Sequence, residues 1–265
     1  MIKKVFYKLR KPVKNISYNH SKFRQDFSNY NLSIDEIKDA TKDRNVLYKF
    51  FHQYYWHVAP VWLREHRNYF SQNNRGYGED AFHSAWYLFI KKFRPQNLLE
   101  IGVYRGQVIS LWSLIGQKEN IEMNIHGISP FSHAGDNVSK YVASVNYYKD
   151  VINNFNYFSL TLPHLHKGYS TDEEMKQIIK SQQWDLIYID GSHAYEIAIQ
   201  DFKLCSKNLN KGGVIVMDDS ALYTNYKPPL YSFAGHPGPS RVVKEIKESG
   251  FTEILGVGHN RYFRK

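Results

Sequence analysis

From Asn97 onward the chain alternates short apolar runs with longer helical stretches, and this rhythm constrains the fold most. Parallel strands cannot be joined by a tight turn and need a crossover, so strands alternating with helices imply an α/β parallel sheet. Strands are expected at residues 97–101, 124–128, 157–162, 185–189, 213–217, 252–256 and 261–264. Helices are expected at 108–115, 138–155, 171–181, 195–208 and 240–249. The last two strands follow each other across Val257 to Asn260 with no helix between, which predicts a closing antiparallel hairpin.

Residues 26–95 read differently, as an N-terminal helical region. Ser33 and Glu36 make a capping-box pattern. Phe50, Phe51, Tyr54, Tyr55 and Val58 recur at helical spacing, a polar break spans 71–80, and a helix over 81–93 ends before Pro95. His20, His52, His57, His66 and His83 have no metal-ligand spacing beside acids and are read as core or surface histidines.

The formal charge of +10 invites a nucleic-acid or membrane-surface reading. Its distribution removes most of that reading. Residues 1–25 carry Lys3, Lys4, Lys8, Arg10, Lys11, Lys14, Lys22 and Arg24 with no acid, which is eight of the ten units. The organisation expected is a basic tail (1–25), a helical region (26–95) and an α/β domain (96–265). Cys205 is the one cysteine, so neither an intrachain disulfide nor a cysteine-rich zinc site can form. No apolar run approaches the ~18 residues of a membrane span, and the basic start has no apolar stretch behind it. A cytoplasmic enzyme is expected, with no nucleic-acid partner. The tail is suited to the anionic inner face of a membrane. A homo-oligomer is compatible with the sequence.

The first motif is Glu100-x-Gly102-x-x-x-Gly106, with Tyr104 inside it, between a strand and a helix. Glycines let the backbone approach a ligand, and the helix offers free N–H groups. A dinucleotide fingerprint would place glycine at 104 and 107, where Tyr104 and Gln107 stand, so a dehydrogenase is disfavoured. A carboxylate at the strand end suits a cationic amine or a ribose hydroxyl better than a phosphate. The spacing resembles the first motif of class I S-adenosylmethionine-dependent methyltransferases. The resemblance implies a Rossmann-like seven-stranded sheet with a helical N-terminal extension, and S-adenosylmethionine held by Glu100, Gly102, Tyr104 and Gly106. The acid that this family places after the second strand is replaced by Ser129, and Asp136 could supply it after a loop excursion. Ser170 and Thr171, after the third strand, are implied near the adenine, with simple helix capping as the alternative.

The second motif is a pair of apolar strands that each end in acid: Asp190 in one, Asp218 and Asp219 in the other. Adjacent parallel strands lie ~4.8 Å apart, so these carboxylates converge and need a cation or protons between them. An all-oxygen set suits Mg²⁺, Mn²⁺ or Ca²⁺. Here the sequence resembles metal-dependent O-methyltransferases, closest to the bacterial sugar and antibiotic group (the macrocin O-methyltransferase-like and cephalosporin-hydroxylase-like enzymes). The resemblance implies that Asp190, Asp218 and Asp219 ligate the metal, with Asp190 also beside the cofactor. His193, three residues past Asp190, is the candidate general base. Tyr195 and the loop residues Tyr223, Tyr226 and His236 are candidate contacts for a small-molecule or saccharide acceptor. Two other readings stay open: a metal-independent methyltransferase acting on nitrogen or another acceptor, and a non-catalytic binder of anionic surfaces or nucleic acid.

Overall fold

The computed structural model describes residues 43–133, 138 and 141–265. The basic tail, the Ser33–Glu36 pattern and Asp136 lie outside the described residues. Three helices come first: α1 (Arg44–His57), α2 (Val61–Ser71) and α3 (Asp80–Phe93). Strands and helices then alternate: β1 (Asn97–Ile101), α4 (Gln107–Glu119), β2 (Asn124–Ser129), α5 (Tyr147–Tyr157), β3 (His164–Lys167), α6 (Glu173–Lys180), β4 (Trp184–Ile189), α7 (Tyr195–Lys207) and β5 (Leu209–Met217). The chain closes with α8 (Pro237–Glu248), β6 (Thr252–Val257) and β7 (Asn260–Arg264).

One seven-stranded sheet has the order β3-β2-β1-β4-β5-β7-β6. The first five strands are parallel, and β7 runs antiparallel to both β5 and β6, as the hairpin pattern predicts. The inner strands are apolar on both faces because helices cover both. Leu98, Leu186, Tyr188, Val214 and Val216 join the core under α1, α3 and α4. Their neighbours Leu99, Ile101, Ile187, Ile189, Ile215 and Met217 join the core under α6, α7 and α8. The N-terminal helices therefore supply part of one covering layer. Trp86 of α3 packs edge-on against Trp112 and Tyr188 and lies 5.2 Å from the Tyr262 ring.

The third strand differs from the expectation at 157–162. That apolar stretch ends α5, and Ser159 turns the chain at φ +53°. Phe158 stacks on Phe70 and packs against Tyr69, so its aromatic character serves a helix contact. The strand is His164–Lys167, with Leu165 its one aliphatic side chain. It lies at the sheet edge, where less apolar surface is required. Two helical runs are also shorter than expected. The run over 138–155 becomes helical at Tyr147, capped by the Asn146 side chain. The stretch with Phe50 to Val58 at helical spacing stops short of the polar break, because Ala59 and Pro60 divide it into α1 and α2.

His66 and His83 are fully enclosed. His66 Nδ1 lies 3.2 Å from His83 Nε2, and His66 Nε2 lies 3.0 Å from Ser110 Oγ, which ties α2, α3 and α4 together. Burial pushes the His66 pKa down to about 3 and holds His83 well below its usual range. Both are neutral in the folded chain, whereas an unfolded histidine takes up a proton near pH 6.5. Each lowered pKa therefore contributes stability that is complete above pH 6.5 and is lost as the pH falls. The His66→Gln variant should show a shallower acid dependence than the parent chain. Over pH 6.5 to 5 the difference should approach ~2 kcal/mol, read from urea unfolding at each pH.

Candidate functional site

The chain runs from β1 outward to β2 and β3, then returns to β4 on the other side of β1. That reversal opens a crevice at the carboxyl ends of β1 and β4, the place where open α/β sheets bind ligands. A cavity of about 630 Å³ occupies it. At its floor Gly102 has φ +105°, and a β-carbon there would fall 1.8 Å from the Asp190 carbonyl oxygen. Only glycine allows the turns after β1 and β4 to meet this closely.

Glu100 faces this cavity from β1 and is 3% exposed. Burial pushes its carboxyl up to about 8, against a hydrogen bond from the Ile109 backbone, with Asp218 adding to the rise. Its Oε2 has no hydrogen-bond partner. A buried, half-satisfied carboxylate fits a ligand that brings a donor, such as an ammonium or hydroxyl. Tyr104, Ser129, Ser170 and Thr171 line the same cavity. Gly106 is not among the lining residues; it starts α4 at φ +79°.

The acids after β4 and β5 meet at the other end. Burial raises the Asp190 carboxyl well above its usual range, reinforced by Asp218, Asp219 and Glu100. Burial also acts to raise Asp219, but hydrogen bonds with His193 and His259 outweigh it and hold this carboxyl below its usual range. His193 Nε2 lies 2.7 Å from Asp219 Oδ2, and His236 Nε2 lies 3.7 Å from the same oxygen. His259 Nδ1 lies 3.0 Å from both Asp218 Oδ1 and Asp219 Oδ1. Burial lowers the His259 pKa, yet the two aspartates hold it well above the usual histidine range.

Two groups therefore have ligand atoms close enough together to hold a metal ion: His193, Asp219 and His236, and Asp218, Asp219 and His259. Asp190 joins neither, and it shares a hydrogen bond with Asp218. The all-oxygen set expected from the strand ends thus becomes mixed, with three imidazoles around the carboxylates. Imidazole widens the suitable cations from Mg²⁺ and Ca²⁺ toward Mn²⁺, Fe²⁺ and Zn²⁺.

His259 and Glu79 are absent from the sequence-derived site. The signal for His259 was topological. β7 is antiparallel, and Arg261 pairs with Met217, so the β6–β7 turn must lie beside Asp218. Glu79 comes from the polar break before α3. It accepts a hydrogen bond from Tyr48, and its Oε1 lies 3.9 Å from His259 Nε2. No local pattern links it to residues so distant in the chain.

The loop after β5 divides its aromatic residues. Phe233 and His236 line the cavity, with the Phe233 ring 4.7 Å from that of His259. Gly235 bridges to Ser220 at φ +104°, and a β-carbon there would fall 2.2 Å from the Asp219 carbonyl oxygen. The other three candidate acceptor contacts do not line the cavity. Tyr226 is buried against Tyr48 of α1, because its ring completes the helical core. Tyr223 is 64% exposed. Tyr195 points to α8, where Arg241 stacks over its ring and Glu245 accepts from its hydroxyl.

A family model described as "Methyltransferase domain" matches residues 99–220. That match covers a little under half of the chain, and the fold around it is the seven-stranded sheet of class I methyltransferases. The chain is 32% identical over 164 residues to the uncharacterized protein R132 of Acanthamoeba polyphaga mimivirus, covering 60% of this chain and 66% of that one. The chain thus spans just under two thirds of that relative's length. A putative caffeoyl-CoA O-methyltransferase from Staphylococcus aureus has a similar structure, with a TM-score of 0.57 and 14% identity, covering 82% of this chain and 98% of that one. An O-methyltransferase from Bacillus cereus in complex with SAH matches with a TM-score of 0.55 and 14% identity, covering 84% and 98%. Among the described residues no helix is long and apolar enough to cross a membrane. Replacing Gly102 with alanine should push the turns after β1 and β4 apart. A loss of at least ~2 kcal/mol in urea unfolding is expected.

Proposed function

We propose that the protein is an S-adenosylmethionine-dependent O-methyltransferase in which a divalent cation assists the acceptor hydroxyl. One observation carries this reading: the half-satisfied Glu100 and the Asp190, Asp218 and Asp219 cluster open into a single cavity. A cofactor amine at Glu100 and an acceptor at the aspartates would then lie in one enclosure. The family match supports methyl transfer, and the SAH-bound Bacillus cereus structure supports the cofactor.

Asp218, Asp219 and His259 would hold the cation with Asp190 beside it, which leaves His193 to act as base. Bound there, a divalent cation would lower the pKa of a hydroxyl and fix its position. His193 faces the cavity and receives the acceptor proton, with Asp219 orienting its ring. S-adenosylmethionine, held at Glu100, would supply the methyl group, its S–CH₃ bond breaking to leave the neutral thioether as the C–O bond forms. No lysine or arginine lines the cavity among the described residues. Tyr77, Phe82 and Phe233 on the cavity wall offer ring faces to a sugar.

The close His193–Asp219 pair also supports a second reading, in which this pair alone activates the acceptor without a metal. Metal titration separates the two. On the first reading, chelation should reduce turnover at least ~100-fold and added Mg²⁺ or Mn²⁺ should restore it. The Asp218→Ala variant should lose turnover while its calorimetric affinity for S-adenosylhomocysteine changes little. Full activity in both chelator and Asp218→Ala would leave the second reading.

The cofactor arm has its own test. Glu100→Gln should weaken S-adenosylhomocysteine binding at least ~10-fold, or ~1.4 kcal/mol. Undetectable binding to the parent chain would sink the whole assignment.

A further inference from the structure

Glu79 is 8% exposed, yet it does not line the cavity. It is the cap residue ahead of α3, in extended backbone, and its side chain makes no capping hydrogen bond. The backbone serves the helix instead, with the Glu79 carbonyl accepting from the His83 amide at 3.1 Å. The carboxyl group is turned toward the β6–β7 turn. Its Oε2 accepts from the Tyr48 hydroxyl of α1, and its Oε1 lies 3.9 Å from His259 Nε2. The His259 ring is fixed from several directions. On the cavity side Nδ1 lies 3.0 Å from both Asp218 Oδ1 and Asp219 Oδ1. Phe82 meets the ring edge-on at 4.8 Å, and the Phe233 ring packs at 4.7 Å. Gly258, just before it, has φ +60°, and a β-carbon there would fall 2.6 Å from the Phe82 ring. Both aromatic neighbours are hydrocarbon, so Glu79 supplies the acceptor behind Nε2.

Given the proposed metal-assisted activity, on which this rests, we infer that Glu79 is a positioning residue for the cation. It favours the His259 tautomer with its proton on Nε2, which leaves the Nδ1 lone pair facing the ion beside Asp218 and Asp219. An imidazole binds metal through the nitrogen that carries no proton, and an acceptor behind the other nitrogen fixes both tautomer and ring orientation. At 3.9 Å Glu79 acts on that proton through its field rather than through a direct hydrogen bond. Tyr48 anchors the acid from α1, so the N-terminal helices set the geometry of the centre without entering the cavity. Glu79 touches neither acceptor nor cofactor and works only through His259.

The test is Mn²⁺ calorimetry on the full chain, read as a double-mutant cycle. Glu79→Gln keeps the size of the side chain and an acceptor for Tyr48, but it removes the carboxylate behind Nε2. It should weaken Mn²⁺ binding at least ~10-fold while the affinity for S-adenosylhomocysteine changes little. His259→Asn puts an amide oxygen in place of Nδ1 and leaves nothing at Nε2. In that background Glu79→Gln should have no further effect on Mn²⁺, because the two residues act as one unit. If Glu79→Gln does not fold, Tyr48→Phe, which removes the anchor of Oε2, takes its place in the same cycle. Parent-like Mn²⁺ affinity in the Glu79→Gln chain overturns the inference. So does a loss of equal size in the His259→Asn background, which would mark a general structural role. No Mn²⁺ binding by the parent chain is a separate result that removes the metal reading itself, and this assignment with it.

Discussion

Buried negative charge at the carboxyl edge of β4 and β5 is the constraint on which the rest of the site depends. Asp190, Asp218 and Asp219 arrive on adjacent strands, with Glu100 on the next strand over. Four carboxyl groups this close cannot all ionise without compensation. The chain compensates in two ways. His193, His236 and His259 gather around Asp219, and Asp190 and Glu100 have raised pKa values that favour protons. A bound cation would serve the same purpose more fully, because it supplies two positive charges at the point where the carboxylates converge.

This arrangement explains why the elements outside the parallel sheet matter. His259 comes from the turn of the closing hairpin, His236 from the residue before α8, and Glu79 from the segment ahead of α3. Each is held by packing remote from the cavity. Within the hairpin Arg261 of β7 pairs with Glu253 of β6, and its guanidinium also donates to the Ser220 carbonyl, which ties the hairpin to the segment after β5. The loop after β5 is tied to α1 by Asn45, which donates to the Asn225 carbonyl and accepts from the Lys227 amide. The helices before residue 95 thus form part of the site's support as well as part of the core.

Local pattern made much of the site legible. Glu100, Gly102, Asp190, His193, Asp218 and Asp219 all lie at strand ends of the parallel sheet, where apolar runs stop and acid or glycine begins. In the structure all six line one cavity. Tyr195, Tyr223 and Tyr226 were chosen for residue type and proximity in sequence, and three different environments took them: a helix–helix contact, solvent and the helical core. Aromatic side chains suit all three settings, so type alone does not separate them. The third strand failed for a related reason. Phe158 and Leu160 are apolar enough for a strand, but they pack after a helix end, while the polar His164–Lys167 pairs at the edge.

By itself the sequence determined the α/β class, the parallel rhythm, the closing hairpin and the acids at the strand ends. These follow from periodicity and from where apolar runs stop, which are properties of neighbouring residues. Only the tertiary structure decided which residues balance those acids. His259 lies about forty residues beyond Asp218, and Glu79 lies well over a hundred before it. Strand order and packing alone set their distance in space. The change from an oxygen cluster to a mixed carboxylate and imidazole centre belongs to that second level.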